Sequence, residues 1–293
     1  MKIFISGASG LVGGNCMKHF KEKGTEVLGT HYSFPTEETV FYDTLNPDDE
    51  RNPDVDRFAP DVIVHCGALT HVDYCEDHEE ESYLKTVKST ENLLSLAERL
   101  KAKFVFISTD YVFDGKDGPY TEDAPTNPLS VYARHKLEGE RLVNSSKLDS
   151  LILRVTNVFG NEIRSKNFVA RILEQIKEGK ELTLKVPVDQ YATPINAYDI
   201  ARAMYLLLSA SKTGLYHLAA SDFINRKELC EIILKHFPGH PYEMNPMLTK
   251  DLNQKALRPL KGGLLANKFL AEFPTFKFQT VNEFLMKFKA QST

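Results

Sequence analysis

The chain has 293 residues, 42% of them apolar and 26% charged, enough apolar side chain for a sizeable core in one large domain or two modest ones. A formal net charge of -4 leaves no basic field to hold nucleic acid phosphates, and the four cysteines (Cys16, Cys66, Cys75, Cys230) form no CxxC pair, which excludes a disulfide scaffold. No apolar run approaches the roughly 18 residues of a membrane span. The short run Ile3 to Ile5 stops at Ser6 and Gly7, so it reads as a strand rather than a signal peptide, and the expected compartment is the cytosol.

Short β-branched or aromatic runs alternate with segments of helical period, the pattern of a parallel sheet with crossover helices. In chain order the pattern predicts a strand at Lys2 to Ser6, a helix at Gly10 to Lys23, and strands at Thr25 to Gly29, Val40 to Tyr42 and Asp61 to His65. A helix follows at Ser82 to Leu100, with Leu93, Leu94, Leu96, Ala97 and Leu100 inward. Then come a strand at Lys103 to Ser108, a helix at Ser130 to Asn144 with Ser130 as N-cap, and a strand at Leu151 to Arg154. After about Phe159 the rhythm changes to a helix at Phe168 to Lys177, a strand at Leu182 to Val186, and helices at Tyr198 to Leu208 and Arg226 to His236. Asn196 and Asn225 each precede an acid, Asp199 or Glu228, by three residues, as helix caps do. Phe237 to Pro259, with Pro238, Gly239, Pro241 and Pro246, is expected to be irregular, either shaping a substrate cleft or forming a packed loop. The fold class is therefore α/β: a Rossmann-type doubly wound parallel sheet with a smaller C-terminal substrate-binding domain. The dinucleotide-binding domain is expected over residues 1–157, with 188–220 returning to it, and the substrate-binding domain over 158–187 and 221–293.

Gly7, Gly10 and Gly13 stand as GASGLVG between the first strand and the first helix. Such glycines permit a tight turn, close approach of backbone to a pyrophosphate, and close packing of helix on strand; the free N–H groups of Leu11, Val12 and Gly13 at the helix start then face the phosphates. The spacing is GxxGxxG rather than GxGxxG, so its weight comes from its place after the first strand of an alternating chain. A NAD enzyme usually carries an acid at the end of the second strand, to bind the ribose 2'-hydroxyl. Here that strand ends Gly29, Thr30, His31, Tyr32. No carboxylate repels a 2'-phosphate, and Thr30 and His31 can hydrogen-bond one, so the expected cofactor is NADPH with NADH as a substitute.

Tyr132 and Lys136 are four apart on a predicted helix and share one face. An ammonium beside a phenol favours phenolate, so Lys136 is expected to pull the tyrosine below its ordinary value of about 10 and suit it to general acid or base work. About one YxxxK arises by chance in a chain with 12 tyrosines, so the location carries the information. Just upstream, Ser108 and Thr109 end a strand at the carboxyl edge of the sheet, where ligands bind, and their hydroxyls are expected to face the same cleft as Tyr132.

These residues resemble the extended short-chain dehydrogenases/reductases, and within them the dTDP-4-dehydrorhamnose reductase branch. GASGLVG, PDVIVHCGALTHVD (Pro60 to Asp73), STDYVFDG (Ser108 to Gly115), PLSVYARHKLEGE (Pro128 to Glu140), VDQYATP (Val188 to Pro194) and LRPLKGGL (Leu257 to Leu264) look like family blocks in family order. The resemblance implies that Tyr132 is the proton donor, that Lys136 binds the nicotinamide ribose, and that Thr109 hydrogen-bonds the substrate carbonyl where many relatives use serine. It also implies that Tyr111 lines the sugar pocket, that Asp43 approaches the adenine, and that Ala68, Leu69 and Thr70 lie along the cofactor. With Ser108, Tyr111 and Asn157 on the substrate side, the implied partner is a nucleotide sugar, and a homodimer is one arrangement open to such a chain. Two departures bear on the sugar rather than on the chemistry: Asn157 stands where the branch carries an aromatic, as in the wider epimerase and dehydratase group, and Thr86 replaces a common asparagine.

His71, Asp73, Cys75, Glu76, Asp77 and His78 fall within eight residues but not at the spacing of a zinc site, and they read as an acidic lead-in to the next helix. No metal ligand is assigned, and a Mg2+ ion, which some members of the resembled family associate with acidic residues, is left open. The activity expected is NADPH-dependent reduction of the 4-keto group of a nucleotide-linked deoxysugar. Two alternatives are a nucleotide-sugar epimerase or dehydratase and a noncatalytic regulatory subunit resembling the methionine adenosyltransferase beta subunit.

Overall fold

The run KIFIS, buried from its second residue onward, forms β1 (Lys2–Ser6), the first strand of a seven-stranded sheet. The computed structural model describes residues 1–292. From β1 the chain passes through α1 (Leu11–Glu22) to β2 (Glu26–His31) and β3 (Val40–Phe41), then through α2 (Val55–Phe58) to β4 (Val62–His65). α3 (Val72–Asp77), α4 (Glu79–Tyr83), a π-helical turn at Leu84–Lys88 and α5 (Ser89–Leu100) lead to β5 (Lys103–Thr109). A 3-10 turn at Asp110–Val112 and α6 (Val131–Ser145) lead to β6 (Ser150–Val155). α7 (Phe168–Lys177), β7 (Leu182–Pro187), β8 (Tyr191–Ala192), α8 (Ala197–Ser209) and β9 (Gly214–His217) follow. The chain continues as β10 (Ile224–Asn225), α9 (Arg226–Lys235), β11 (Tyr242–Met247), α10 (Asn267–Glu272) and α11 (Val281–Ser292).

The sheet order is β3-β2-β1-β4-β5-β6-β9, with every pair parallel. This is the doubly wound α/β architecture of Rossmann type, and the order reverses between β1 and β4, the place where sheets of this kind bind ligands at their carboxyl ends. Period-two alternation divides the core. Ile3, Ile5, Val62, Val64, Val105 and Leu153 point to one face, where Phe20 of α1 and Met204 and Leu207 of α8 cover them. Phe4, Ile63, Phe104, Phe106 and Ile152 point to the other, against Leu93 and Ala97 of α5 and Val143 of α6. A separate cluster joins Ile172 and Leu173 of α7, Leu182 and Leu184 of β7, Leu229 and Ile233 of α9 and Leu285 of α11. Among the described residues no helix is long and apolar enough to cross a membrane.

Three expectations need correction. β2 runs on to His31 because Thr30 and His31 pair with Val40 and Phe41, so both residues lie inside the sheet rather than beyond it. The stretch after Phe237 is not irregular throughout: β11 pairs in parallel with β7, from Tyr242 opposite Leu182 to Met247 opposite Pro187. Pro246 disguises it in sequence, yet a two-strand sheet leaves one edge unpaired, where a residue without an N–H is tolerated. The helix expected from Ser82 starts at Glu79, the acidic residues Glu79, Glu80 and Glu81 filling its first turn.

Candidate active site

At the carboxyl end of β1 the backbone turns so tightly that a side chain at Gly13 would come within 2.3 Å of the Gly7 carbonyl oxygen, and Gly7 itself has φ +76° against the Gly67 backbone. No side chain caps α1, and its first turn holds no acid, so the partial positive charge around Leu11, Val12 and Gly13 stays available to an anion. Gly10 holds the N-cap place in extended conformation, its N–H donating to the Gly7 carbonyl. That geometry fits a dinucleotide pyrophosphate. The segment leaving β4 lies beside the turn, with Ala68 and Leu69 half-buried and Thr70 exposed.

On the other side of β1, two expected cofactor contacts change character. The Thr30 hydroxyl is buried and donates to the Ile5 carbonyl at 3.1 Å, so it is spent inside the sheet. His31 stays half-buried, its Nδ1 2.9 Å from the Thr39 hydroxyl. Asp43 accepts from the Leu45 N–H at 2.9 Å, and its own N–H donates to Asn52, which pins the loop after β3.

β5 and α6 supply the reactive hydroxyls. Ser130 caps α6 by accepting from the Ala133 N–H at 3.3 Å, and Glu76 of α3 accepts from the Val131 N–H at 2.8 Å, which fixes the helix start. In the first turn, the Tyr132 phenol sits close enough to the Thr109 hydroxyl to feel it, and its ring meets the Tyr111 ring edge to face at 6.0 Å. Lys136 is buried, with Nζ 4.1 Å from the centre of the Phe106 ring. Burial lowers the Lys136 ammonium to about 8, although Glu140 pulls the other way. The expectation that Lys136 lowers Tyr132 is not met. Burial instead raises the Tyr132 phenol well above its usual value, outweighing the Thr109 hydrogen bond, and nearby Asp110 adds to the rise. Tyr132 is thus a neutral, proton-bearing phenol at neutral pH, the form a proton donor needs.

Beneath them lies a polar floor that sequence reasoning did not foresee. Ser108 is 2% exposed and donates to Glu140 at 2.5 Å, so the expectation that it faces the cleft with Thr109 is corrected. Neighbours on a strand point to opposite faces, and only Thr109 reaches Tyr132. Glu140 also takes a two-pronged ion pair from Arg154, at 2.8 and 2.6 Å. Arg154 leads on to the buried ring of His217 at 3.4 Å, which burial and the nearby guanidinium push down to about 3. Under the glycine turn, His65 lies between the Ser6 and Ser89 hydroxyls at 3.1 and 3.3 Å, and burial, then the Lys136 charge, hold it to about 3.

The outer wall brings in residues from far along the chain. Asn157 adopts φ +38°, a left-handed conformation that asparagine tolerates, and its side-chain oxygen accepts from Arg226 at 2.9 Å. Arg226 begins α9 behind the reciprocal cap of Asn225 and Glu228, stacks at 4.7 Å on Phe168, and has its guanidinium lowered by burial. Arg258 reaches Tyr111 from the loop after β11 and is clamped by Asp73 at 2.9 and 2.7 Å. Neither arginine was named from sequence. The Asn225 cap was the available signal for Arg226, since it fixes where α9 starts, and the LRPLKGGL block was the one for Arg258.

The acidic stretch around Asp73 is consumed in such ties. Asp73 holds Arg258 and the Ala256 N–H, Asp77 pairs with Lys255, Glu76 caps α6, and His78 stacks on Tyr74 with ring centres 3.8 Å apart. Among the described residues no group of three or more His, Cys, Asp or Glu side chains is placed to hold a metal ion, so the donor set does not fit Mg2+.

With this geometry in place, the family match is direct: residues 1–289 correspond to the RmlD substrate binding domain family. The chain belongs to that family. Its relatives include dTDP-4-dehydrorhamnose reductase of Sinorhizobium fredii, 38% identical over 226 residues that cover 73% of this chain and 75% of the relative. They also include methionine adenosyltransferase 2 subunit beta of Danio rerio, 31% identical over 265 residues that cover 88% and 80%. The solved structure of a dTDP-4-dehydrorhamnose reductase from Clostridium acetobutylicum superposes with a TM-score of 0.83, at 28% identity over the full length of both chains. An RmlD-family chain is thus similar both to an enzyme and to a subunit with another name, and the side chains must separate the two readings.

Proposed function

We propose that this protein is a reductase that uses NADPH to reduce the 4-keto group of a nucleotide-linked deoxysugar. The observation that carries the reading is the meeting of two hydroxyls, Thr109 and Tyr132, beside buried Lys136, at the sheet edge that also holds the uncapped glycine turn. A bound nicotinamide dinucleotide supplies the hydride. The residues do the rest. Gly7, Gly10, Leu11, Val12 and Gly13 would hold its pyrophosphate, Ala68, Leu69 and Thr70 its length, Asp43 its adenine side, and Lys136 its ribose hydroxyls.

Thr109 and Tyr132 orient the ketone by hydrogen bonding to its oxygen, and Tyr132 gives its phenolic proton to the alkoxide as the carbon is reduced. Burial suits Tyr132 to that direction, because it keeps the proton on the phenol until the alkoxide, a far stronger base, appears. Arg226 is a half-buried cation that donates to the neutral Asn157, which leaves its charge to pair with the diphosphate of a sugar nucleotide. Tyr111 and Asn157 complete that wall. On the cofactor, the absence of a carboxylate at Thr30 to Tyr32 supports NADPH over NADH, with His31 rather than Thr30 as the side chain left to meet a 2'-phosphate.

The complete Thr109, Tyr132 and Lys136 set speaks for an enzyme over a regulatory subunit, which would need no proton donor. The lack of an acid after β2 speaks against an epimerase or dehydratase that retains NAD. Purified protein supplied with NADPH and a dTDP-4-keto-6-deoxysugar should consume NADPH in step with formation of the reduced sugar, and calorimetric titration should show NADPH binding at least as tightly as NADH. Tight binding of NADPH without oxidation by any 4-keto sugar nucleotide would overturn the reductase reading in favour of a binding subunit.

A further inference from the structure

In a sheet of this kind the adenine ribose of a dinucleotide lies at the end of the second strand, and an arginine nearby accommodates a 2'-phosphate. The stretch Thr30 to Tyr32 contains no arginine, so one must come from elsewhere in the chain. The loop after β2 is closed at its base, where His31 meets the Thr39 hydroxyl and the Thr36 N–H donates to that hydroxyl at 3.1 Å. Its root is tied to the glycine turn, because the Ala8 N–H donates to the Thr30 carbonyl at 2.7 Å. A second closed loop reaches it from the other half of the molecule. Between β6 and α7, Asn167 Nδ2 donates to the Gly160 carbonyl at 3.1 Å and cinches residues 160–167, and Asn15 of α1 donates to the Asn161 carbonyl at 3.0 Å. Further along that loop the Arg164 guanidinium lies 4.9 Å from the centre of the Phe34 ring, in the loop after β2. Residues 160–167 thus span from α1 to the β2 loop, the two segments that meet at the glycine turn.

Three cations reach the β2 loop or the strand beside it, and they differ in what they hold. Lys21 pairs with Glu38 at 3.1 Å. Arg51 lies 4.2 Å from the centre of the Phe41 ring but spends its fork on Asp49, at 2.9 and 2.6 Å. Arg164 is half-buried, and among the described residues no carboxylate lies within ion-pair distance of it and no acceptor takes its N–H groups. The single acid of its own loop, Glu162, is turned to Asn167, accepting from Nδ2 at 2.9 Å. The Phe34 ring attracts the guanidinium without neutralising it, so Arg164 keeps a full charge and a five-donor fork that matches a phosphate. We propose that Arg164 is the residue that recognises the 2'-phosphate of NADPH, supplied from the loop after β6 to make up for the arginine missing at the end of β2. This rests on the cofactor reading given above. Phe34 is then a positioning residue, whose ring holds the guanidinium beside the β2 loop.

The test is calorimetric titration of the full chain with NADP+ and with NAD+, which differ only in the 2'-phosphate and need no substrate. Arg164→Met keeps the length and apolar stem of the side chain and removes the charge. Its affinity for NADP+ should fall on the order of tenfold to a hundredfold, the worth of charged hydrogen bonds to a phosphate, while its affinity for NAD+ changes by less than about twofold. The NAD+ value also shows that the variant is folded with the glycine turn intact. Arg51→Met should change neither affinity by more than about twofold, since that guanidinium already belongs to Asp49. An Arg164→Met variant that keeps the wild-type preference for NADP+ would overturn the assignment, and so would an equal loss for both cofactors, which would put Arg164 on the shared pyrophosphate. Loss of the preference in Arg51→Met together with its survival in Arg164→Met would give the role to the other arginine. Wild-type protein that binds NAD+ more tightly than NADP+ would overturn the cofactor reading itself, and the assignment with it.

Discussion

Thr109, Tyr132 and Lys136 leave the end of one strand and the first turns of the next helix, whereas Arg226 and Arg258 enter the same cleft from α9 and from the loop after β11. The first group is held by the sheet itself: Ser108 beside Thr109 and Glu140 one turn past Lys136 are tied together, so strand and helix cannot slide independently. The second group is held by side chains from other segments, Asn157 and Phe168 for Arg226 and Asp73 for Arg258. One side of the cleft is rigid and carries the chemistry; the other is added on and carries charge. Variants on the two sides should therefore fail in different ways.

The largest effect is expected from Tyr132→Phe, which should lose on the order of 10²- to 10⁴-fold in turnover while binding NADPH normally. Stopped-flow NADPH oxidation reads this directly, and wild-type turnover in the variant would mean the proton comes from elsewhere. Next comes the floor. Arg154→Met strands buried Glu140 without its partner, so stability should drop by about 3–5 kcal/mol in urea unfolding. A drop below about 1 kcal/mol would show that the ion pair does not lock β6 to α6. On the added wall, Arg226→Met should raise KM for the sugar nucleotide on the order of tenfold to a hundredfold, the worth of a charged hydrogen bond, with little change in kcat. An equal fall in kcat would move Arg226 from the binding side of the comparison to the chemical side. The smallest effect concerns pH. Lys136 is held to about 8, so it is an ammonium below that value and loses its proton above it; NADPH affinity should weaken as pH rises through about 8 and beyond. Lys136→Met should bind weakly at every pH, and titration calorimetry showing an unchanged pH dependence would detach Lys136 from the cofactor.

The same division explains what could be read in advance. β1, the glycine turn, β4, β5 and α6 were legible because local periodicity, glycine spacing and the Ser130 cap all act within a few residues. Tyr132, Lys136 and Thr109 came with them, being placed by those elements. Ser108 was misjudged because its partner, Glu140, is 32 residues away, and no local pattern announces such a bond. The expected depression of Tyr132 failed for a related reason: four-residue spacing puts Lys136 on the same helix face but says nothing of how deeply both are buried. Thr30 was lost to the cleft when β3 extended the sheet, and β11 was hidden by Pro246 within it and Pro241 before it. Arg226 and Arg258 depend on tertiary folding of the C-terminal segments, at which the Asn225 cap and the LRPLKGGL block only hinted.

β9 has a consequence for the order in which the protein is made. A nascent chain that has completed β6 at Val155 cannot cover that strand's outer edge until Gly214 to His217 emerge. At about 5–20 residues per second, synthesis of the intervening segment takes on the order of 3–12 s. Throughout that interval Leu151 and Leu153 belong to an open edge able to pair with another chain. α8, which precedes β9, emerges late in the same interval, so the side of the sheet that it seals is open for most of it. Ribosome occupancy along residues 155–217 thus bears on yield as much as any contact in the finished cleft.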